Sequence, residues 1–186
     1  DEKTVITNIE DGFDFLGWNF RKFKGKLLIQ PSRESKQKVT KSLSRTVKYY
    51  HEASQELLII KLNQITRGWA EYHHCVCAKK TYALIDHRLW EMLWKWAKRR
   101  HPRKGKKWIK SRYWHPKGNR EWSFRTDKVI LYQMMDMPIV RIRSLDLKKS
   151  PFLDSEYFEH RRKQHKKDKE TAYLSSAAAL SGYYAL

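Results

Sequence analysis

The chain has 186 residues, 40 Lys or Arg against 20 Asp or Glu, and a formal net charge of +20. With 40% apolar residues it can bury a core sufficient for one domain or two small ones, and the lack of any run of 18 apolar residues excludes a transmembrane helix. The charge is lopsided: residues 92–153 hold 18 basic and 4 acidic residues, a net +14. A solvated surface mixes its signs, so this excess points to nucleic acid ahead of an anionic membrane or an acidic protein.

The first residue is Asp1 and the opening segment is acidic and polar, unlike a signal peptide, so the chain reads as a piece of a longer one. Residues 4–30 read as β structure. Val5-Ile6, Phe13 to Phe20 and Leu27 to Ile29 are apolar runs, and Glu10-Asp11-Gly12 and Lys24-Gly25 are turns. Both alternating sets of the Phe13–Phe20 run are largely apolar, which predicts a strand covered on both faces.

Pro31-Ser32 opens a helix, with Ser32 as N-cap and Glu34 in the first turn. Its apolar stripe is Val39, Leu43, Val47 and Tyr50. A second helix starts near Ser54 and carries Leu58, Leu62, Ile65, Trp69, Tyr72 and Val76. A third starts near Lys80, carries Tyr82, Ile85, Leu89, Met92 and Trp96, and ends at Pro102. Three such helices on short connectors predict a small bundle.

Beyond Pro102, Lys104 to Arg112 reads as a short helix, and Pro116-Lys117-Gly118-Asn119 as a turn between two aromatic segments. Val129–Tyr132 and Ile139–Ile142 read as strands, and Asp154–Gln164 as a helix after Pro151. Lys166 to Leu186 is expected to be poorly ordered or partly helical. The fold class is therefore α+β: an N-terminal β segment, a three-helix bundle, then a small mixed C-terminal region.

Most catalytic chemistries lack their residues. A two-metal polymerase or nuclease needs clustered carboxylates, yet the adjacent acids Asp1-Glu2 and Glu10-Asp11 lie at the terminus or a turn and Asp86 stands alone on its helix. On a helix His73 and Cys77 share a face while Cys75 points elsewhere, and two ligands are too few for structural zinc. Cys75 and Cys77, one residue apart, would diverge too far in a strand or helix for an easy disulfide, which fits a reducing, intracellular setting. With no phosphate-cradling glycine loop and no G-x-S-x-G, no catalytic residue, metal or cofactor is assigned.

Between Lys95 and Arg112, ten of eighteen residues are basic and none is acidic. Lys95, Lys98, Arg99, Arg100, Arg103, Lys104, Lys106, Lys107, Lys110 and Arg112 are candidate phosphate contacts. Trp90, Trp94 and Trp96 read as core, whereas Trp108, Trp114 and Trp122 either stack on unpaired bases or build a second small core. Aromatic, basic surfaces on loops suit folded RNA better than duplex DNA.

Four segments then stand in a familiar order. Gly12-Phe-Asp-Phe-Leu-Gly-Trp-Asn-Phe20 resembles the hand-over from palm to thumb in group II intron reverse transcriptases. Arg67-Gly-Trp-Ala-Glu-Tyr-His73 resembles the signature of their middle thumb helix, and Trp94-Lys-Trp-Ala-Lys-Arg-Arg-His-Pro102 the end of the next helix. Ser150-Pro-Phe-Leu-Asp-Ser-Glu-Tyr-Phe-Glu159 resembles their closing Asn-Pro-type segment. The resemblance implies an RNA-binding maturase domain, with residues 1–31 the end of the palm, 32–101 the thumb (domain X), 102–165 a basic extension and 166–186 a tail. It implies RNA contacts at Arg67, Tyr72 and His73 and from Lys98 to Arg103. Its implied partners are group II intron RNA, a template–primer and the rest of the reverse transcriptase, with no membrane. The Tyr-Ala-Asp-Asp motif of the family is not in this chain, so no polymerisation is expected of it, and Mg2+ is expected only in the missing palm. A general basic RNA-binding scaffold without intron preference is the alternative.

Overall fold

The computed structural model describes residues 6–118 and 120–181. Val5 of the expected first strand, Asn119 of the expected turn and residues 182–186 of the tail lie outside them. The mixed α+β class is as expected: a three-stranded sheet, a helical bundle, a two-stranded sheet and a long final helix.

Strands β1 (Phe13–Phe15), β2 (Trp18–Phe23) and β3 (Lys26–Pro31) form an antiparallel meander. The Lys24-Gly25 turn is where the sequence puts it, with φ of 47° and 78°. A second turn of the same kind, Leu16-Gly17 at 48° and 80°, splits what reads as one strand into two. Leucine is disfavoured at positive φ, and neighbours hold this turn in place: Tyr72 Oη donates to the Leu16 carbonyl at 2.6 Å and the Ser32 amide to that of Gly17 at 2.8 Å. The turn also resets the alternation, so Phe15 lies opposite Trp18 and Phe13 stacks on Phe20. The expectation of a strand covered on both faces is corrected: β1 is exposed, with Phe13 at 43% and Phe15 at 58% exposure.

Helices α1 (Arg33–Tyr49), α2 (Gln55–His73) and α3 (Lys79–Arg100) make the bundle. Ser32 and Ser54 are side-chain N-caps, accepting from the Ser35 and Leu57 amides. The connectors are short, so α2 runs antiparallel to both neighbours and α1 and α3 run side by side in one direction. Val39, Leu43 and Val47 meet Leu58, Leu62, Tyr82, Ile85, Leu89 and Trp96 in the core. The second helix stops at His73, short of Val76, which is buried in the connector. No helix among the described residues is long and apolar enough to cross a membrane.

Helix α4 (Lys106–Tyr113) leads into a hairpin of β4 (Trp114–Lys117) and β5 (Arg120–Phe124), around the expected turn. The aromatic alternatives resolve by position. Trp114 is buried and packs with Trp90, Trp94 and the half-exposed Trp122 at ring separations of 5.3–6.4 Å, whereas Trp108 stays at the surface. Ile109, Tyr113, Trp114 and Phe124 belong to the same core as the bundle, so packing does not break at Pro102.

The strands expected at Val129–Tyr132 and Ile139–Ile142 do not form; only an isolated bridge joins Arg125 to Ile130. Helix side chains take the place of a partner strand. Asn63 donates to the Ile130 carbonyl at 2.8 Å and accepts from the Tyr132 amide at 2.7 Å. Asp86 accepts the Met134 and Met135 amides at the short 3₁₀ turn Met134–Asp136. Lys79 donates to the Met135 and Met137 carbonyls. The final helix, α5 (Ser155–Ser181), runs well past Gln164 into the segment expected to be poorly ordered. Glu71 on α2 accepts from its Lys169 and Tyr173.

Replacing Asn63 with Ala leaves two backbone groups of the returning segment unpaired, and we expect a stability loss of about 1–3 kcal/mol. Urea unfolding checks this, together with faster hydrogen exchange at the Tyr132 amide. A loss of a few tenths would contradict the clamp.

Candidate nucleic-acid interface

Side-by-side α1 and α3 leave a shallow trough between them. Its upper part, of about 450 Å3, lies between Lys41, Arg45 and Lys48 on α1 and Arg88 and Met92 on α3. Lys48 leads into a second depression floored by Val47 and Trp96 and flanked by Arg99 and Arg100. Arg99 leads into a third with Lys95 and Lys98. The helical repeat produces this: residues 41, 45 and 48 share one face of α1, and 88, 92, 95 and 99 one face of α3. The core stripes Val39-Leu43-Val47 and Ile85-Leu89-Trp96 point inward, leaving the cations outward on the adjacent faces.

Glu52 is the one carboxylate lining the trough among the described residues, and it lies 3.4 Å from His51. Lys41, Arg45, Lys48, Arg88, Lys95, Lys98 and Arg99 form no ion pair among the described residues. Two rows of uncompensated charge along a groove are suited to follow a phosphate backbone.

The expected contact residues divide into three groups. Lys95, Lys98 and Arg99 line the trough. Arg100 lies beside it but is engaged: its guanidinium donates to the His51 and Ala53 carbonyls and lies 4.7 Å from the Trp96 ring, tying the α1–α2 connector to α3. The second group surrounds α4. Arg103, Lys104, Lys106, Lys107 and Arg112 are exposed, with Lys104 over the Trp108 ring at 5.4 Å. Trp108, 38% exposed, meets the His101 ring edge-on. Lys110 is half-buried, over the Trp122 ring at 4.5 Å and 3.5 Å from Glu121. No acid and no side-chain cap sit in the first turn of α4, so Lys106 and Lys107 stand at the positive end of its dipole, where an anion is favoured.

The third group is Arg67, Tyr72 and His73 on α2, none of which lines the trough. Arg67 is exposed and lies over the Tyr132 ring at 5.2 Å. Tyr72 holds the Leu16 turn. His73 is corrected outright, because it is fully buried and has no surface to offer RNA. Its Nδ1 accepts from Trp18 Nε1 at 3.0 Å, and its Nε2 lies 3.1 Å from Ser35 Oγ, which also accepts from Trp69 Nε1. Since Nδ1 accepts, the neutral ring carries its hydrogen on Nε2 and donates to Ser35. Both ring nitrogens are thereby used, which leaves none for a metal.

Burial lowers the His73 pKa to about 4, and a proton on Nδ1 would also set two donors face to face. Burial likewise raises Asp86 to about 6, against the opposing pull of the Met135 and Met134 amides. Sequence reasoning missed Lys41, Arg45, Lys48 and Arg88. Their signal in the sequence is a basic face beside the apolar stripe, with residues 41, 45 and 48 at spacings of four and three.

The site and fold together make a basic helical module, and among the described residues no group of three or more His, Cys, Asp or Glu is placed to hold a metal ion. The model of one protein family, described as the group II intron, maturase-specific domain, matches residues 36–114. The matched stretch, from the first turns of α1 through α4 to Trp114, is thus similar to a group II intron maturase-specific domain. That family is defined by the maturase role rather than by a catalytic domain. No curated protein matches the chain.

Folded His73 protonates near pH 4 and unfolded histidine near 6.5, so the unfolded state binds more protons between those values. Its contribution is complete above pH 6.5 and lost as pH falls toward 4, on the order of 3 kcal/mol in all. Urea midpoints from pH 7 to 4 should fall more steeply for the wild type than for His73→Asn. Parallel profiles would contradict the neutral buried ring.

Proposed function

We propose that this chain binds group II intron RNA along the α1–α3 trough and assists its folding for splicing, as the thumb region of a reverse transcriptase. The observation that carries this reading is a coincidence in position. Lys41, Arg45, Lys48, Arg88, Lys95 and Arg99 all fall within the residues that match the maturase-specific domain. A strongly cationic groove within the stretch that matches a maturase domain is suited to the backbone of structured RNA, with the α4 ridge and Trp108 extending the contact toward loops. Template–primer is a second ligand of the same face once a palm is joined to residues 1–31, where Phe15 and Leu16 are exposed. No polymerase chemistry is assigned to this chain itself.

The test compares a structured group II intron RNA with an unrelated structured RNA of equal length, by filter binding at physiological salt. The expected result is tighter binding to the intron RNA. Lys41→Glu with Arg45→Glu should lower affinity for it by about tenfold or more. Equal affinity for the two RNAs would overturn the intron-specific reading in favour of a general basic RNA-binding scaffold.

A further inference from the structure

A second concavity, sharing no residue with the trough, lies where the segment 142–151 passes along α5. It has a volume of about 700 Å3, within the range of small-ligand sites. Its walls are fixed by polar clamps. Arg161 donates to the Ser144 carbonyl at 2.7 Å and also to that of Arg143. The Asp146 amide donates to Tyr157 Oη at 3.0 Å, and Arg143 grips Asp168 through two hydrogen bonds of 2.9 and 3.1 Å. These contacts hold the segment by its backbone while Ile142 and Leu145 face the cleft, so its apolar lining is not consumed in closing it.

The lining has two parts of different chemistry. Tyr157 and Phe158, with rings 5.1 Å apart and edge-on, join Ile142 and Leu145 as an apolar and aromatic wall. Arg162 stands beside them, exposed and in no ion pair among the described residues. Gln164 and the Ser144 hydroxyl add groups that both donate and accept. No carboxylate lines the cleft among the described residues.

We propose that this cleft is a nucleotide site that takes one unpaired residue of a bound RNA strand. The base lies against Phe158 and the aliphatic wall, and its phosphate meets Arg162. A flat ring joined to an anion matches both halves of the lining. Beyond the cleft, Lys163, Lys166 and Lys167 are exposed on α5, so neighbouring phosphates of a continuous strand would also meet positive charge. This favours a strand over a free nucleotide, and the aromatic wall of Tyr157 and Phe158 favours a base over an acidic side chain. The assignment of the ligand rests on the RNA-binding reading above, but the cleft needs no intron sequence.

The experiment uses the 186-residue chain and a short single-stranded oligoribonucleotide of non-intron sequence with 2-aminopurine at an internal position. Stacking in the cleft should quench the fluorophore on binding. Arg162→Glu, a surface change, and Phe158→Ala should each weaken that binding about tenfold, the loss expected for one stacked base. Both should leave the affinity for blunt-ended RNA duplex unchanged. Quenching and affinity that survive Arg162→Glu would overturn the proposal whether or not Phe158→Ala folds. So would an equal loss on the duplex, displacement of the oligomer by micromolar AMP, or preferential displacement by an acidic peptide. Loss of intron preference in the filter-binding comparison, with quenching intact, would sink the intron reading and leave the cleft standing.

Discussion

The buried imidazole of His73 is the contact on which the rest of the arrangement depends. It joins the sheet through Trp18, the first helix through Ser35 and the second through its own backbone. Trp69 extends the network by donating to the same serine and packs edge-on against Tyr82 of α3, whose hydroxyl returns to the Ala70 carbonyl at 2.7 Å. One neutral ring therefore sets how the meander meets the bundle and how the three helices stand. A polar group this deeply buried is tolerated because each of its nitrogens has a partner.

From that frame the charged face follows by geometry. Short connectors oblige α1 and α3 to run in the same direction, and their apolar stripes turn inward against α2. The next helical faces are then parallel and adjacent, and both are basic. Neither row would make a groove alone. The molecule holds this repulsion because its cations are at the surface, where water and salt screen them, while the stabilising contacts lie in the aromatic and aliphatic core. The returning segment adds to that core without a sheet, through Asn63, Lys79 and Asp86 reaching out from α2 and α3.

What the sequence made legible is local. Ser32 and Ser54 announce their helices because a cap needs only its own next turn. Lys24-Gly25 reads as a turn because glycine bears the positive φ, and Pro102 follows closely on the end of α3. What stayed hidden depends on distant partners. The Leu16-Gly17 turn is held by Tyr72 and Ser32, so a β-forming stretch conceals it. Residues 129–142 have strand-like composition, but their backbone partners are side chains and one isolated bridge. His73 carries the residue type of a functional histidine and proves structural, because Trp18 and Ser35 come from elsewhere in the chain. The basic run from Lys95 to Arg112 was plain in composition, yet half of its groove comes from α1, forty residues and more upstream.

Salt dependence of RNA binding tests the central claim, that the α1–α3 trough carries phosphate contacts, most directly. Each phosphate neutralised adds a little under one unit to the slope of log affinity against log salt. Changing Lys41, Arg45 and Arg88 together to Ala should reduce that slope by about two to three units while circular dichroism and melting stay unchanged. A folded triple variant with the wild-type slope would contradict the account and move the RNA to another face.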